Sequence, residues 1–357
     1  TVLEGQNTGV TVSVEPISSH ISHYNYMYNS FLTVICDPVD YMTGAYLDLI
    51  ETLSVQGSTN LSLDLEYNSL LTEAEGEVGY GWSHGYENEI RMEDGQVRFY
   101  WTPTNYLAFV TTNSIEGIVY GTVEDGVIHL QANPSLAEEY TCISYGMRDY
   151  KLSRDESGAY LMTSPAGDSY EFNADGKLTK IRESNGRTVT LTHEDMKTTV
   201  TDPASGKFFC IHYDEDGHIA SATDNIGRTV SFTYSDGYLT SYTNALGETL
   251  SYSYDEAGKL YSATSNTGDV LVTNTYDEEG RVLTQDDGNP NTPLTIFSYT
   301  EDPETGVLLV EITDRNGGKI QAKSNNLGQM LSTSDQNGNG NVYTYNANAH
   351  LTSDTTA

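Results

Sequence analysis

Hydrophobic and polar residues alternate through the second half of this chain, in short runs separated by glycine-containing turns. In residues 229–234, Val230, Phe232 and Tyr234 alternate with threonine and serine, and residues 249–254 repeat the arrangement. Successive side chains of a strand point to opposite faces, so each run predicts a strand with one apolar and one polar face. Nothing in the chain has a helical period. The pattern therefore predicts an all-β protein.

Two phrases recur about every 20 residues, half a period out of step with each other. The first is an aromatic residue, a polar turn ending in glycine, and a hydrophobic residue. Its copies begin at Phe172, Tyr213, Tyr234, Tyr254 and Tyr276, with degenerate copies at Asn325 and Tyr345. The second also turns on a glycine, as in Thr-Asp-Asn-Ile-Gly at 223–227, and its copies begin at Ser184, Thr201, Thr223, Thr243 and Thr313. Two turns per period leave room for two strands of five or six residues, so each unit is predicted to be a β-hairpin.

The turn residues carry a further expectation. We attribute Asp or Asn before glycine to a turn that needs positive φ, which glycine adopts without a Cβ clash. The positions predicted at positive φ are Gly217, Gly237, Gly258 and Gly280. The equivalent aromatic positions are predicted to form a ladder along the strip, and they are Tyr213, Tyr234, Tyr254 and Tyr276. A packed ladder would indicate a scaffold, whereas an exposed one would favour a glycan-binding surface.

These repeats resemble the tyrosine-aspartate (YD) repeats of the Rhs family, which also includes the toxin-enclosing subunits of insecticidal Tc complexes and the teneurins. The resemblance covers about half of the chain. It implies antiparallel β-hairpin repeats that form a curved, spirally wound strip, here a partial Rhs-type shell.

The front of the chain resembles the domain that opens the repeat region of many bacterial Rhs proteins. Three motifs carry this resemblance, namely DPVD-x-x-TG at residues 37–44, YNS at 67–69 and GYGWSH at 79–84. The residues singled out are Asp37, Pro38, Asp40, Gly44, Gly81, Trp82 and His84. Cys36 departs from the pattern, in which glycine is more usual.

Length and composition suggest several segments. We expect an N-terminal leader segment at 1–34, the Rhs-opening domain at 35–90, an irregular β region at 91–170 and YD repeats at 171–357. Because each hairpin of a repeat protein packs chiefly on its neighbours, the front domain near Trp82 is expected to tolerate damage in the repeats.

The formal net charge of −34, with 17 Lys and Arg, argues against nucleic acid and anionic membrane as partners. The three cysteines cannot all pair, and their spacing fits no zinc pattern. Few cysteines and many tyrosines fit a secreted or cell-surface bacterial protein. No apolar run reaches the roughly 18 residues of a membrane helix, and no signal segment opens the chain, so an export signal would lie upstream of Thr1.

Two histidine motifs were considered as active or metal sites. His20 and His23 form an H-x-x-H pair without a third ligand or the glutamate of a zinc-protease helix. Ser83 and His84 adjoin in sequence, whereas a nucleophile and its base converge from separate parts of a fold. We expect a loop role for the first pair and a packing role for the second.

Two acidic turns, 214–217 and 286–289, are superficially similar to calcium loops. The twelve-residue loop with its final bidentate glutamate is missing from both. We therefore predict no catalytic, cofactor or dedicated metal site, with adventitious calcium as the only ion expected.

The end of the chain shapes the functional hypotheses. No toxin domain or closing core motif follows Tyr345, and about eight hairpins are too few to enclose a cargo. The open sheet edge predicts pairing with further C-terminal repeats, a toxin domain or a second copy. The first hypothesis is a non-enzymatic wall and plug of a β-shell that protects or delivers a toxin. The alternative is a cell-surface module that binds glycan or protein and self-assembles through its edges.

Overall fold

The computed structural model describes residues 34–36, 39–111, 120–124, 127–131, 138–144, 146–346 and 350–356. These residues form strands, turns and loops, and none of them is helical. The predicted all-β fold is confirmed.

Seven short strands precede the main sheet. They are β1 (Val34–Cys36), β2 (Val39–Asp40), β3 (Leu47–Val55), β4 (Leu61–Asn68), β5 (Glu75–Gly76), β6 (Gly79–Tyr80) and β7 (Trp82–His84). Strands β3, β4 and β7 form one antiparallel sheet, and β5 pairs with β6 as a small hairpin. On β4, Leu61, Leu63 and Leu65 are completely buried.

The main sheet contains 24 antiparallel strands. Its first members are β8 (Glu89–Glu93), β9 (Gln96–Tyr100) and β10 (Tyr106–Thr111). A separate hairpin of β11 (Tyr120–Glu124) and β12 (Val127–Gln131) interrupts the order. The sheet continues through β13 (Glu138–Cys142), β14 (Lys151–Arg154), β15 (Tyr160–Thr163), β16 (Ser169–Phe172), β17 (Leu178–Arg182), β18 (Thr188–Glu194), β19 (Lys197–Asp202), β20 (Lys207–Tyr213), β21 (Ile219–Asp224), β22 (Thr229–Ser235), β23 (Tyr238–Thr243), β24 (Thr249–Tyr254) and β25 (Leu260–Thr264).

The remaining strands are β26 (Val270–Tyr276), β27 (Val282–Asp286), β28 (Thr295–Glu301), β29 (Leu308–Thr313), β30 (Lys319–Ser324), β31 (Met330–Asp335), β32 (Gly340–Tyr345) and β33 (Leu351–Thr356). From β13 onward each strand pairs with the next along the chain, so the sheet is a strip of consecutive hairpins. The strip begins at Glu89, and β8–β10 and β13–β15 place parts of the segment expected to be irregular within it.

The strip curves back on itself near its start. The amide of Ile90 on β8 donates to the carbonyl of Gly176 at 2.9 Å, and Glu89 bridges to Lys177. Strand β8 thereby meets the β16–β17 turn. The first turn of the strip is closed, and the later hairpins extend from it.

The two faces of the strip differ as the alternation predicts. Val230 and Phe232 are buried, whereas Thr229, Ser231 and Thr233 are exposed. The exposed hydroxyls pair across strands, as in the contact of Ser253 with Ser262 at 2.8 Å. The apolar face of the strip and the front sheet belong to one continuous hydrophobic core. This contradicts the expectation that the front domain is independent of the repeats.

The predicted turn glycines have positive φ, with values of 90° for Gly217, 79° for Gly237, 75° for Gly258 and 83° for Gly280. The prediction that Asp or Asn before the glycine also serves a turn with positive φ is correct for only some of the turns. Asp236 has a φ of 53° beside Gly237, as a two-residue hairpin turn requires.

The longer turns use the acidic residue differently. The Oδ1 atom of Asp214 accepts hydrogen bonds from the amides of Asp216 at 3.0 Å and His218 at 2.8 Å. Asp255 and Asp277 accept equivalent pairs of bonds. In these turns the carboxylate satisfies backbone donors, and only the glycine has positive φ.

Candidate functional site

Five turns follow the aromatic residues of the repeats. The front segment, residues 39–88, contacts the last four of them, and the first bonds to β8. We call these turns the repeat tips, and they comprise residues 173–177, 214–218, 235–238, 255–259 and 277–281. At most tips the pairing register shifts beside the aromatic residue, as between Ser253 and Tyr254. Such bulges interrupt the regular ladder, and backbone groups at the tips bond to the front segment instead.

Three amides that follow the tips donate to the front segment. Ile219 donates to the carbonyl of Glu77 at 2.7 Å. Leu260 donates to the hydroxyl of Tyr67 at 2.8 Å. Val282 donates to the carbonyl of Gly44, also at 2.8 Å. The front segment therefore satisfies backbone donors of three separate repeats.

Tip carbonyls accept hydrogen bonds in return. The amide of Tyr80 donates to Gly237 at 3.0 Å, and the hydroxyl of Ser69 donates to Gly280 at 2.9 Å. The approach is close enough to require glycine on both sides. A Cβ on Gly79 would lie 2.4 Å from the Gly237 carbonyl oxygen, and one on Gly237 would lie 2.4 Å from Oε1 of Glu75.

The repeat tyrosines form a packed ladder. The hydroxyl of Tyr234 donates to the carbonyl of Ile219 at 2.9 Å, one repeat earlier. The same bond recurs from Tyr254 to Leu239 at 2.8 Å, from Tyr276 to Leu260 at 2.7 Å and from Tyr299 to Val282 at 2.6 Å. Burial raises the pKa of each of these four hydroxyls well above its ordinary value. The rings pack against the core and serve as scaffold.

The ladder changes at its beginning. Tyr213 donates instead to Glu77 Oε2 at 3.0 Å and lies 3.1 Å from the hydroxyl of Thr198. In the preceding repeat His193 Nε2 lies 2.6 Å from the carbonyl of Leu178, so an imidazole takes the place of a tyrosine. The first ladder tyrosine thus contacts the front segment as well as the strip.

The opening-motif residues occupy this contact. Trp82 is 1% exposed, and its indole N–H donates to the hydroxyl of Tyr254 at 2.9 Å. Gly81 has a φ of 77°, and a Cβ there would lie 2.6 Å from the ring of Tyr67. Gly44 has the same φ and closely approaches the ring of Tyr299. Close packing against tyrosines explains both glycines.

Two ionisable members of the motif are buried. His84 Nε2 lies 3.0 Å from Oε2 of Glu77. Asp40 accepts bonds from the amide of Met42 at 2.9 Å and the hydroxyl of Thr43 at 2.6 Å, and burial raises its pKa to about 6. Asp37 and Pro38 lie outside the described residues.

An open acidic cleft of about 340 Å³ separates the β5–β6 hairpin from two tips. Four glutamates line it, namely Glu75, Glu77, Glu87 and Glu89, together with the cations Arg91 and Lys177. Burial, reinforced by the charge of Glu77, raises the pKa of Glu87 well above its usual range. Burial acts in the same direction on Glu77, but the hydrogen bond and charge of His84 outweigh it and lower the pKa of that carboxyl.

The adjoining Ser83 and His84 have structural contacts. The hydroxyl of Ser83 lies 3.5 Å from the carbonyl of Glu66, and His84 faces Glu77. His20 and His23 lie outside the described residues.

In the turn at 286–289, the carboxylates accept hydrogen bonds from backbone amides of the turn itself. Oδ1 of Asp286 accepts from the amide of Gly288 at 2.9 Å, and Oδ1 of Asp287 accepts from Asn289 at 3.0 Å. Asp287 also forms an ion pair with Arg315. By contrast, Asp214, Asp216 and His218 place their ligand atoms within 4.8 Å of one another.

Several contact residues were missed from the sequence. Tyr67 and Ser69 belong to the YNS phrase, whose position in the opening motif was a usable signal. Glu75 and Glu77 lie in an acidic stretch with no distinguishing pattern, and their partners are more than 130 residues away.

The strip of hairpins packs against a front segment that bonds to its tips. Comparison with known proteins agrees over part of the chain. Residues 155–289 match the family described as Teneurin YD-shell, and residues 36–109 match DUF6531, a domain of unknown function. These matches support a relation to the Rhs and YD-shell proteins. No curated protein sequence matches the chain.

Solved structures with local similarity include two from Tc toxins. The Photorhabdus luminescens Tc holotoxin pore is 14% identical over 72% of this chain and 16% of its own, with a TM-score of 0.36. The complex of TcdB2, TccC3 and Cdc42 is 10% identical over 93% of this chain and 20% of its own, with a TM-score of 0.37. The chain therefore spans a fifth or less of these structures, and the fold assignment rests on its own strand pairing.

The N-terminal domain of the effector protein SpvB from Salmonella typhimurium is 14% identical over 87% of this chain and 98% of its own, with a TM-score of 0.21.

Across the part of the chain that the structure describes, no helix has the length and hydropathy needed to span a membrane.

Proposed function

We propose that this chain is a non-enzymatic part of a YD-type β-shell, in which the repeats form wall and the front segment fills the shell beside them. The shell would protect or deliver a polypeptide cargo such as a toxin domain. The proposal includes secretion or display at a bacterial cell surface, as the family resemblance implies. Further repeats, the cargo or a second copy would be the partners at the sheet edge.

The observation that carries the proposal is the set of bonds between the front segment and successive repeat tips. These bonds involve four consecutive repeats and lie on one edge of the strip, at Ile219, Gly237, Leu260 and Gly280. A segment that only flanked the repeats would have no reason to match the spacing of their tips. The contact supports a filling role for residues 39–88.

The side chains around this contact support a non-enzymatic role. His84, Ser83 and the ladder tyrosines bond to fixed carboxylates and carbonyls of the protein itself. Such bonds orient and stabilise these groups, and they occupy the atoms that a substrate would need. A panel of hydrolase and nuclease substrates is expected to show no turnover.

The glycan-binding alternative depended on an exposed row of tyrosines. Tyr234, Tyr254 and Tyr276 instead pack on the core and use their hydroxyls within the strip. A stacking platform built on these rings is therefore not favoured.

Protease protection tests the enclosing role. The protein encoded by the native reading frame would be digested with a protease, and the protected fragments identified by mass spectrometry. The test variant is Gly79→Val, because a side chain there meets the carbonyl of Gly237. The control is Gly247→Val, which also has positive φ but open space around it.

We expect wild-type protein to protect segments enclosed by the strip and Gly79→Val to expose them, with a smaller effect of Gly247→Val. Equal digestion of wild type and Gly79→Val would contradict the filling role. Rapid digestion of every segment outside the strip in wild type would contradict enclosure.

A further inference from the structure

The repeat tip at residues 214–218 differs from its equivalents in the residue that follows the glycine. The residue after the tip glycine is a long cation in three other tips, Lys177, Lys259 and Arg281, but here it is His218. In the last of those tips, Nε of Arg281 lies 2.7 Å from Oδ2 of the turn carboxylate Asp277. That ion pair neutralises the carboxylate within the turn.

His218 leaves the corresponding carboxylate without such a bond. Its Nδ1 lies 3.7 Å from Oδ2 of Asp214, which is beyond hydrogen-bonding distance. The other ring nitrogen, Nε2, lies 2.8 Å from Oε1 of Glu75 in the front segment. The side chain is 8% exposed and stacks on the ring of Tyr234 with centroids 4.5 Å apart. The imidazole is therefore held in one orientation.

The bond to Glu75 selects the tautomer of the neutral ring. A carboxylate accepts, so Nε2 carries the proton and Nδ1 has a free lone pair. Among the described residues, none forms a hydrogen bond with this Nδ1 atom. Nδ1 lies 3.7 Å from the Asp214 carboxylate, and a cation shared by the two atoms would offset the repulsion between the lone pair and that carboxylate.

A third ligand is in place beside this pair. Ligand atoms of Asp214, Asp216 and His218 all lie within 4.8 Å of one another. Oδ1 of Asp214 is committed to backbone amides, which fixes the carboxylate and leaves Oδ2 on the side of the imidazole. Metal-bound histidines generally donate their second N–H to a carboxylate, and Glu75 has that relation to His218.

We propose that Asp214, Asp216 and His218 bind a divalent transition-metal ion, with Zn²⁺ preferred, and that Glu75 orients the imidazole from behind. An imidazole nitrogen with two carboxylates suits Zn²⁺ better than Ca²⁺, which takes six to eight oxygen ligands. The remaining coordination positions would be filled by water. The net charge of −34 raises the local concentration of cations. This proposal does not depend on the proposed shell function.

The site would also join the two parts of the molecule. Binding at Nδ1 strengthens the Nε2–H bond to Glu75, which lies on β5, while the ligands lie on the strip. Metal bound only by the folded protein stabilises it, by about 2.7 kcal/mol at a concentration one hundred times Kd. The ion would thus fasten the front segment to one repeat tip.

Isothermal titration of metal-free protein with ZnCl₂, and separately with CaCl₂, tests the proposal. The main variant is Asp216→Asn, since this side chain is exposed and its loss should leave the fold intact. The matched control is Asp175→Asn, which alters the same position of the 173–177 tip, where Lys177 replaces the histidine. His218→Gln and Glu75→Gln test the imidazole and its orienting partner.

We expect zinc affinity to fall at least tenfold in Asp216→Asn, His218→Gln and Glu75→Gln. In Asp175→Asn the zinc affinity should not change. The ¹⁵N resonance of His218 Nδ1 should shift on addition of Zn²⁺ while that of Nε2 changes little. Equal zinc binding by wild type and Asp216→Asn would overturn the site. Calcium binding as tight as zinc binding and unaffected by His218→Gln would overturn the role of the imidazole.

Discussion

Replacing Tyr254 by phenylalanine removes one atom and two hydrogen bonds from the contact between front segment and strip. Its hydroxyl donates to the carbonyl of Leu239 at 2.8 Å and accepts from the indole N–H of Trp82 at 2.9 Å. Both partner residues are buried, at 0% and 1% exposure. The change therefore leaves one buried acceptor and one buried donor without a partner.

The magnitude follows from the cost of leaving such groups unpaired. Each buried partner deprived of its bond costs about 1–3 kcal/mol. We expect Tyr254→Phe to lower the free energy of unfolding by about 2–4 kcal/mol. Tyr276→Phe is the matched control, because its hydroxyl makes the equivalent ladder bond to the carbonyl of Leu260 at 2.7 Å, whereas the indole of Trp82 bonds to Tyr254. This control should cost about 1–2 kcal/mol.

Urea unfolding followed by circular dichroism measures both variants. A double-mutant cycle with Trp82→Phe isolates the bond between the indole and Tyr254, and a coupling of at least about 0.5 kcal/mol is expected. Equal costs for Tyr254→Phe and Tyr276→Phe, together with no coupling to Trp82, would refute the reasoning that the ladder hydroxyl joins the two parts.

Three other predictions follow from the same contacts. Gly237→Val should reduce hydrogen-exchange protection in β5–β6 as well as in the neighbouring repeats, because its side chain would meet Glu75. The control Gly247→Val should add only about 1–3 kcal/mol of backbone strain on the far edge of the strip. Unchanged protection in β5–β6 in Gly237→Val would contradict this prediction. Asp40 keeps its proton up to about pH 6 when folded but loses it near 3.8 when unfolded, so wild-type stability falls as pH rises between these values. Relative to wild type, Asp40→Asn should therefore gain roughly 2.4 kcal/mol in unfolding free energy from pH 4 to pH 7, and a pH-independent difference between the two proteins would show that Asp40 is not the titrating group. Purified protein should lack hydrolase and nuclease activity, and turnover abolished by His84→Gln would reverse that conclusion.

The strip was predictable because its signals are local. Alternation in β22 places Val230 and Phe232 inside, and the turn glycines adopt the positive φ that their position requires. Side-chain direction in a strand depends only on the period of two, and turn conformation depends on a few neighbouring residues. A single sequence contains both kinds of information.

The contact with the front segment was not predictable because it depends on pairs far apart in the chain. Nothing near Tyr67 indicates that its hydroxyl accepts from the amide of Leu260, 193 residues away. The same applies to Glu75 and His218, which are separated by 143 residues. The expected independence of the front domain was wrong for this reason, since the nearest-neighbour logic of repeats omits a segment that touches many repeats at once.

The order in which the front segment meets the repeats has a consequence for synthesis. Met42 bonds to Ser324 across 282 residues and Ser69 to Gly280 across 211, whereas Ile90 bonds back to Gly176. A ribosome thus releases residues 39–88 before the repeats that they contact, and Met42 waits longer than Ser69 for its partner. During that interval the apolar side chains of β4 are not yet covered by the strip, and long loops must close before the contacts form. A chaperone bound to the front segment would therefore protect the nascent chain most during the period before Ser324 has been synthesised.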